Sequence, residues 1–103
     1  MIWFGPAGTG DSFSTMGFKK TAQIADYIEK VGLNAFEYQC GRGVRINTDT
    51  ADTLKKAFAE KKFRMSLHAP YYISLSSVDP EKRDGSINYI LQSAKACLLY
   101  TSF

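Results

Sequence analysis

The stretch Ile24-Ala25-Asp26-Tyr27-Ile28-Glu29-Lys30-Val31-Gly32-Leu33-Asn34-Ala35-Phe36-Glu37-Tyr38 changes its period part-way along. Ile24, Ile28 and Val31 fall at i, i+4 and i+7, one apolar face of a helix. Gly32 then takes the place just past the helix end, where a left-handed backbone is needed. Leu33 follows as the hydrophobic residue that closes a Schellman end. Residues 34–38 continue as a short strand with β-formers at its centre. Helix, glycine stop and strand make half of a βαβ unit, and both flanks extend the pattern.

Upstream, residues 2–5 form a short apolar run that stops at Gly5-Pro6, a strand followed by a turn. Residues 5–17, rich in Gly, Ser and Thr, read as a loop, and a helix is expected over 19–31. Downstream, Asn47 or Thr48 caps a helix over 48–62 whose apolar face is Ala51, Leu54, Ala57 and Phe58. Residues 64–68 alternate faces as a third strand, ended by Ala69-Pro70. Asp79-Pro80-Glu81 places an N-cap, an N1 proline and an acid at the start of a helix over 80–98. Its apolar stripe is Ile87, Ile90, Leu91, Ala94 and Leu98. The order β-α-β-α-β-α predicts an α/β fold with parallel strands in the order 1-2-3, joined by right-handed crossovers. Residues 97–103 lead neither to a glycine stop nor to a fourth strand. They read as a truncated or non-native end.

The 103 residues suffice for one domain. At 45% hydrophobic and 22% charged, the composition excludes a collagen, a disordered tail and a disulfide scaffold. Neither a membrane-length apolar run nor a signal peptide is visible, so the expected compartment is the cytoplasm. The net charge of +3 suits a polyanionic partner without demanding one. The paired cations, such as Lys55-Lys56 and Lys61-Lys62, are most simply solvated helix faces. Cys40 and Cys97 belong to no CxxC pattern and read as reduced thiols.

Four stretches bear on chemistry. Gly5-Pro6-Ala7-Gly8-Thr9-Gly10-Asp11-Ser12 has the spacing of a phosphate-binding loop, but Asp11 stands where the lysine is required. A carboxylate there repels phosphate, and a plain strand-to-helix loop is the better reading. Gly41-Arg42-Gly43-Val44-Arg45 follows the second strand; it fits either a solvated turn or a backbone that approaches an anion. His68, the lone histidine, ends the third strand on the same face as Ser66, opposite Met65 and Leu67. In parallel α/β proteins the site gathers at that end of the strands. Tyr71-Tyr72-Ile73 follows at once; its rings either pack the loop down or stack on a ligand.

These residues together resemble a known family. His68-Ala69-Pro70-Tyr71-Tyr72-Ile73-Ser74-Leu75 is similar to the strand-three motif of the endonuclease IV family, as is Asn88-Tyr89-Ile90-Leu91-Gln92-Ser93 in the following helix. The stretch 32–39 and the Gly41-Arg42-Gly43-Val44-Arg45 loop look like strand two and its loop in that family. The resemblance covers residues 2–96, and its wider frame is the xylose isomerase-like barrel superfamily. It implies the N-terminal (βα)3 portion of a TIM (β/α)8 barrel, truncated, from an enzyme that cuts damaged double-stranded DNA on the 5′ side of abasic sites with zinc. His68 matches a zinc ligand, Tyr71 a tyrosine of the DNA-penetrating loop, and Arg42 the arginine of the strand-two loop. The remaining zinc ligands lie on later strands, so the 103 residues alone are expected to be inactive. Where many members carry Gly-x-His-x-Ser after strand one, this chain reads Gly5-Pro6-Ala7-Gly8-Thr9. The alternative is a sugar isomerase or epimerase of the same superfamily that uses a single divalent metal. No membrane and no protein partner are implied.

Overall fold

The computed structural model describes residues 2–41, 43–44 and 47–100. Among these described residues, five helical segments and two strands follow one another as α1 (Asp11–Thr15), a 3-10 turn (Thr21–Gln23), α2 (Ile24–Lys30), β1 (Ala35–Gln39), α3 (Thr48–Lys61), β2 (Arg64–His68) and α4 (Pro80–Tyr100). β1 and β2 pair in parallel, Ala35 opposite Arg64 through Gln39 opposite His68. This is the α/β arrangement with parallel strands that the sequence predicts.

The ends of α2 form as the sequence dictates. Gly32 adopts φ 78°. Leu33 N donates to Ile28 O at 3.0 Å, and Gly32 N to Glu29 O at 3.1 Å, the two bonds of a Schellman end. Asn47 caps α3 by accepting from Thr50 N at 3.2 Å. Asp79 Oδ1 accepts from Glu81 N at 2.9 Å at the start of α4. Lys61 bridges α3 to α2, with its ammonium 3.0 Å from Glu29 and 3.9 Å from Asp26. α3 ends on Lys62, which takes φ 57°, the conformation glycine adopts at low cost. Lys62→Gly is therefore expected to stabilise the fold by about 1 kcal/mol, raising the melting temperature by about 5 °C in a thermal melt.

Three expectations need correction. The run 2–5 is not a ladder strand. Ala35 N donates to Phe4 O and Glu37 N to Pro6 O, while Gly8 N donates to Glu37 O. The bond that would complete the ladder requires an N–H on Pro6, which proline lacks. What remains is one parallel bridge, Ala7 to Glu37, displaced beyond the predicted run. The segment still lies beside β1 in parallel, preserving the order 1-2-3. Second, the loop over 5–17 contains α1. It buries Phe13, and Phe18 stacks on that ring at 5.5 Å after Gly17 turns the chain at φ 91°. Third, the helix expected over 19–31 starts as the 3-10 turn, so its α-helical part begins only at Ile24.

The core joins α2, α3 and one face of the sheet through Ile24, Ile28, Phe36, Leu54 and Phe58. α4 contributes Ala96 and Tyr100, not its apolar stripe: Ile87, Ile90, Leu91 and Leu98 are exposed. The buried side of α4 is made instead of small residues. Ser86 and Ser93 satisfy their hydroxyls on Lys82 O and Tyr89 O, both at 2.7 Å. Small, self-satisfied side chains let a helix backbone approach closely, which a row of Leu and Ile does not.

Tyr100 stacks on Tyr38 at 4.5 Å, and its hydroxyl donates to that of Tyr38 at 3.3 Å. Burial, and then this hydrogen bond, push its pKa well above the usual value. The folded state thus keeps this proton at a pH where the unfolded chain gives it up. The associated stability is complete below pH about 10 and is lost as the pH rises further. Denaturant titrations between pH 9 and 11 should show stability falling, and Tyr100→Phe should flatten the slope.

Candidate functional site at the carboxyl ends of the strands

Strand alternation sorts the sheet into two faces. Phe36, Tyr38, Met65 and Leu67 pack against the core. In the parallel register the other face carries Glu37 opposite Ser66 and Gln39 opposite His68. The expectation that His68 shares a face with Ser66, away from Met65 and Leu67, is met. Gln39 Nε2 donates to Glu37 Oε2 at 3.4 Å and Ser66 Oγ to Glu37 Oε1 at 3.5 Å. At the far end of the same sheet the Arg64 guanidinium lies 4.8 Å from the centre of the Trp3 ring. A face this polar does not belong to a dry core; it is built to meet solvent or a polar ligand.

His68 is exposed at the last position of β2. Its Nδ1 sits 2.7 Å from the Ala69 carbonyl oxygen. That oxygen only accepts, so Nδ1 donates, and in the neutral imidazole this leaves the lone pair on Nε2. This backbone-oriented imidazole is the form in which histidine ligates a metal. Among the described residues no three His, Cys, Asp or Glu side chains gather as a metal cluster.

Two loops meet beside His68. Cys40 N donates to His68 O at 3.0 Å and Tyr71 N to Gly41 O at 3.2 Å. The Tyr71 ring lies over Gly41, where an added Cβ would stand 3.5 Å from its Cδ1. The Tyr72 hydroxyl reaches Gly43, which takes φ 129°. Tyr71 is 69% exposed, so its ring is presented outward rather than packed away. Arg42 falls outside the described residues; Gly41 before it bonds the tyrosine loop, and a Cβ on Gly43 after it would stand 3.1 Å from the Tyr72 hydroxyl. Cys40 is buried, and this burial raises the pKa of its thiol, so no reactive cysteine joins the site. The sequence reading missed Glu37 and Gln39. The signal was available in the alternation of β1, but it needed the strand register to bring them beside Ser66 and His68.

Residues 25–98 match the xylose isomerase-like TIM barrel family. The chain belongs to that family. Its paired strands and covering helices are consecutive βα units of such a barrel, and His68 stands at the strand end where barrel sites form. An uncharacterized protein of Methanocaldococcus jannaschii is similar to this xylose isomerase-like chain, 33% identical over 95 residues. Those residues cover 92% of this chain and 32% of the relative, so the chain spans about a third of that protein's length. No solved structure matches. Among the described residues, no helix is long and apolar enough to cross a membrane.

Proposed function

We propose that these residues serve a full-length barrel that hydrolyses DNA phosphodiesters 5′ to abasic sites, as an endonuclease IV-like enzyme of DNA repair. The observation that carries this reading is the meeting of His68, poised as a ligand through Nε2, with the exposed Tyr71 loop on one rim. His68 is the zinc ligand contributed by this part of the chain. When bound, zinc supplies Lewis-acid stabilisation of the phosphoryl oxygens and an acidified water. The Ala69 carbonyl accepts from Nδ1, which leaves Nε2 as the nitrogen available to a metal. Tyr71 offers a flat ring to the gap left by a missing base, and Arg42 offers a guanidinium to the flanking phosphates.

Supporting this over the sugar isomerase alternative is the outward presentation of Tyr71, since a small-molecule pocket turns its aromatic rings inward. Stacking of one base on an aromatic ring is worth about 1–3 kcal/mol. Tyr71→Ala in a full-length barrel is therefore expected to weaken binding to a duplex carrying an abasic analogue by about tenfold, measured by fluorescence anisotropy with zinc chelated. Unchanged affinity would remove Tyr71 from the interface.

A further inference from the structure

Tyr71 is exposed and follows a proline, so something must keep its ring from wandering. Its hydrogen bond from N to Gly41 O fixes the backbone but not the ring. Among the described residues its aromatic neighbour is Tyr72, at 5.5 Å and 73°, edge to face. Tyr72 in turn packs edge to face on Tyr89 of α4, at 4.7 Å and 74°. Edge-to-face pairs at these separations are attractive and set the ring planes, because the positive edge of one ring meets the negative face of the next. The three rings form a ladder that runs from a rigid helix out to the loop tip. Tyr72 also places its hydroxyl over Gly43, so the same ladder reaches the loop after β1.

We infer that Tyr89 is a positioning residue: acting through Tyr72, it fixes the orientation of the Tyr71 ring. Its functional consequence rests on the reading of Tyr71 as a nucleic-acid contact. The ring of Tyr89 does the work, and its hydroxyl is not required, so phenylalanine should substitute and leucine should not.

The test reads Tyr71 directly. With 3-fluorotyrosine installed at position 71, the fluorine resonance of the folded chain should stand away from that of the free amino acid, displaced by the Tyr72 ring. Tyr89→Leu should collapse this displacement, and Tyr89→Phe should retain it. Affinity for the abasic-analogue duplex should fall about fivefold in Tyr89→Leu and stay within twofold in Tyr89→Phe. A fluorine signal left in place by Tyr89→Leu overturns the inference, whatever the DNA shows. So does a collapsed displacement in Tyr89→Leu with unchanged affinity, if Tyr71→Ala itself weakens binding. If the signal moves as expected but the unaltered protein has no preference for the abasic duplex, positioning by Tyr89 stands and the nuclease reading falls. Should Tyr89→Leu lose its far-ultraviolet dichroism, Tyr72→Leu cuts the same ladder at its middle and decides by the same resonance.

Discussion

Gly5→Ala is expected to destabilise the fold by about 3 kcal/mol, at the upper end of the cost of overfilling a packed site. The reason is backbone against backbone. A Cβ on Gly5 would run into the carbonyl of Ala35, and that carbonyl belongs to the first residue of β1. A flexible side chain could rotate away; a strand carbonyl cannot. The first segment would have to lift off, taking with it the bonds from Ala35 N to Phe4 O and from Glu37 N to Pro6 O. Asn34 would be affected too, since its side chain accepts from Phe4 N at 2.7 Å and donates to Ile2 O at 3.1 Å. For a domain whose total stability is about 5–15 kcal/mol, this loss is large. Gly10→Ala, where a Cβ meets open space, is the matched control and should change stability little. Equal denaturation midpoints for the two variants would show that residues 4–8 do not pack on β1 as described.

His68→Ala carries the second large effect. Losing a partner that merely orients a ligand costs about 10–100-fold in metal affinity. Losing the ligand itself should cost at least about a hundredfold in a full-length barrel, and should take phosphodiester cleavage down with it. His68→Ala should leave stability nearly unchanged, because the imidazole is exposed and its hydrogen bond is to the adjacent carbonyl. The 103-residue chain alone should retain no equimolar zinc in elemental analysis, one imidazole being a fraction of a four-ligand site. Equimolar zinc that survives His68→Ala would show that the metal is held elsewhere.

Local signals predicted local structure well. The i, i+4 spacing before Gly32, the Asn47 cap and the Asp79-Pro80 start each depend on neighbours within one or two turns, and each appears in the fold. The alternation of residues 64–68 likewise placed His68 with Ser66. What failed depended on partners distant in sequence. Pro6 interrupts a ladder only because its missing N–H happens to face Ala35. The apolar stripe of α4 faces outward, because packing selects Ser86, Ser93 and Ala96, whose small volume matters only once a neighbouring element is in place. Glu37 and Gln39 became site residues through register, which no single strand reveals. Tyr89 lies in a stretch that resembles the family, but its contact with Tyr72 joins a helix to a loop seventeen positions back, beyond any helical periodicity.

The most direct measurement is strand scission of an end-labelled duplex that contains one abasic analogue, incubated with a full-length barrel carrying residues 2–96 of this chain. A single nick is expected on the 5′ side of the analogue, abolished by a zinc chelator and by His68→Ala, with the duplex left uncut when the analogue is replaced by an ordinary nucleotide. An intact duplex from the folded, zinc-loaded protein, or a nick that persists in His68→Ala, would contradict the nuclease reading.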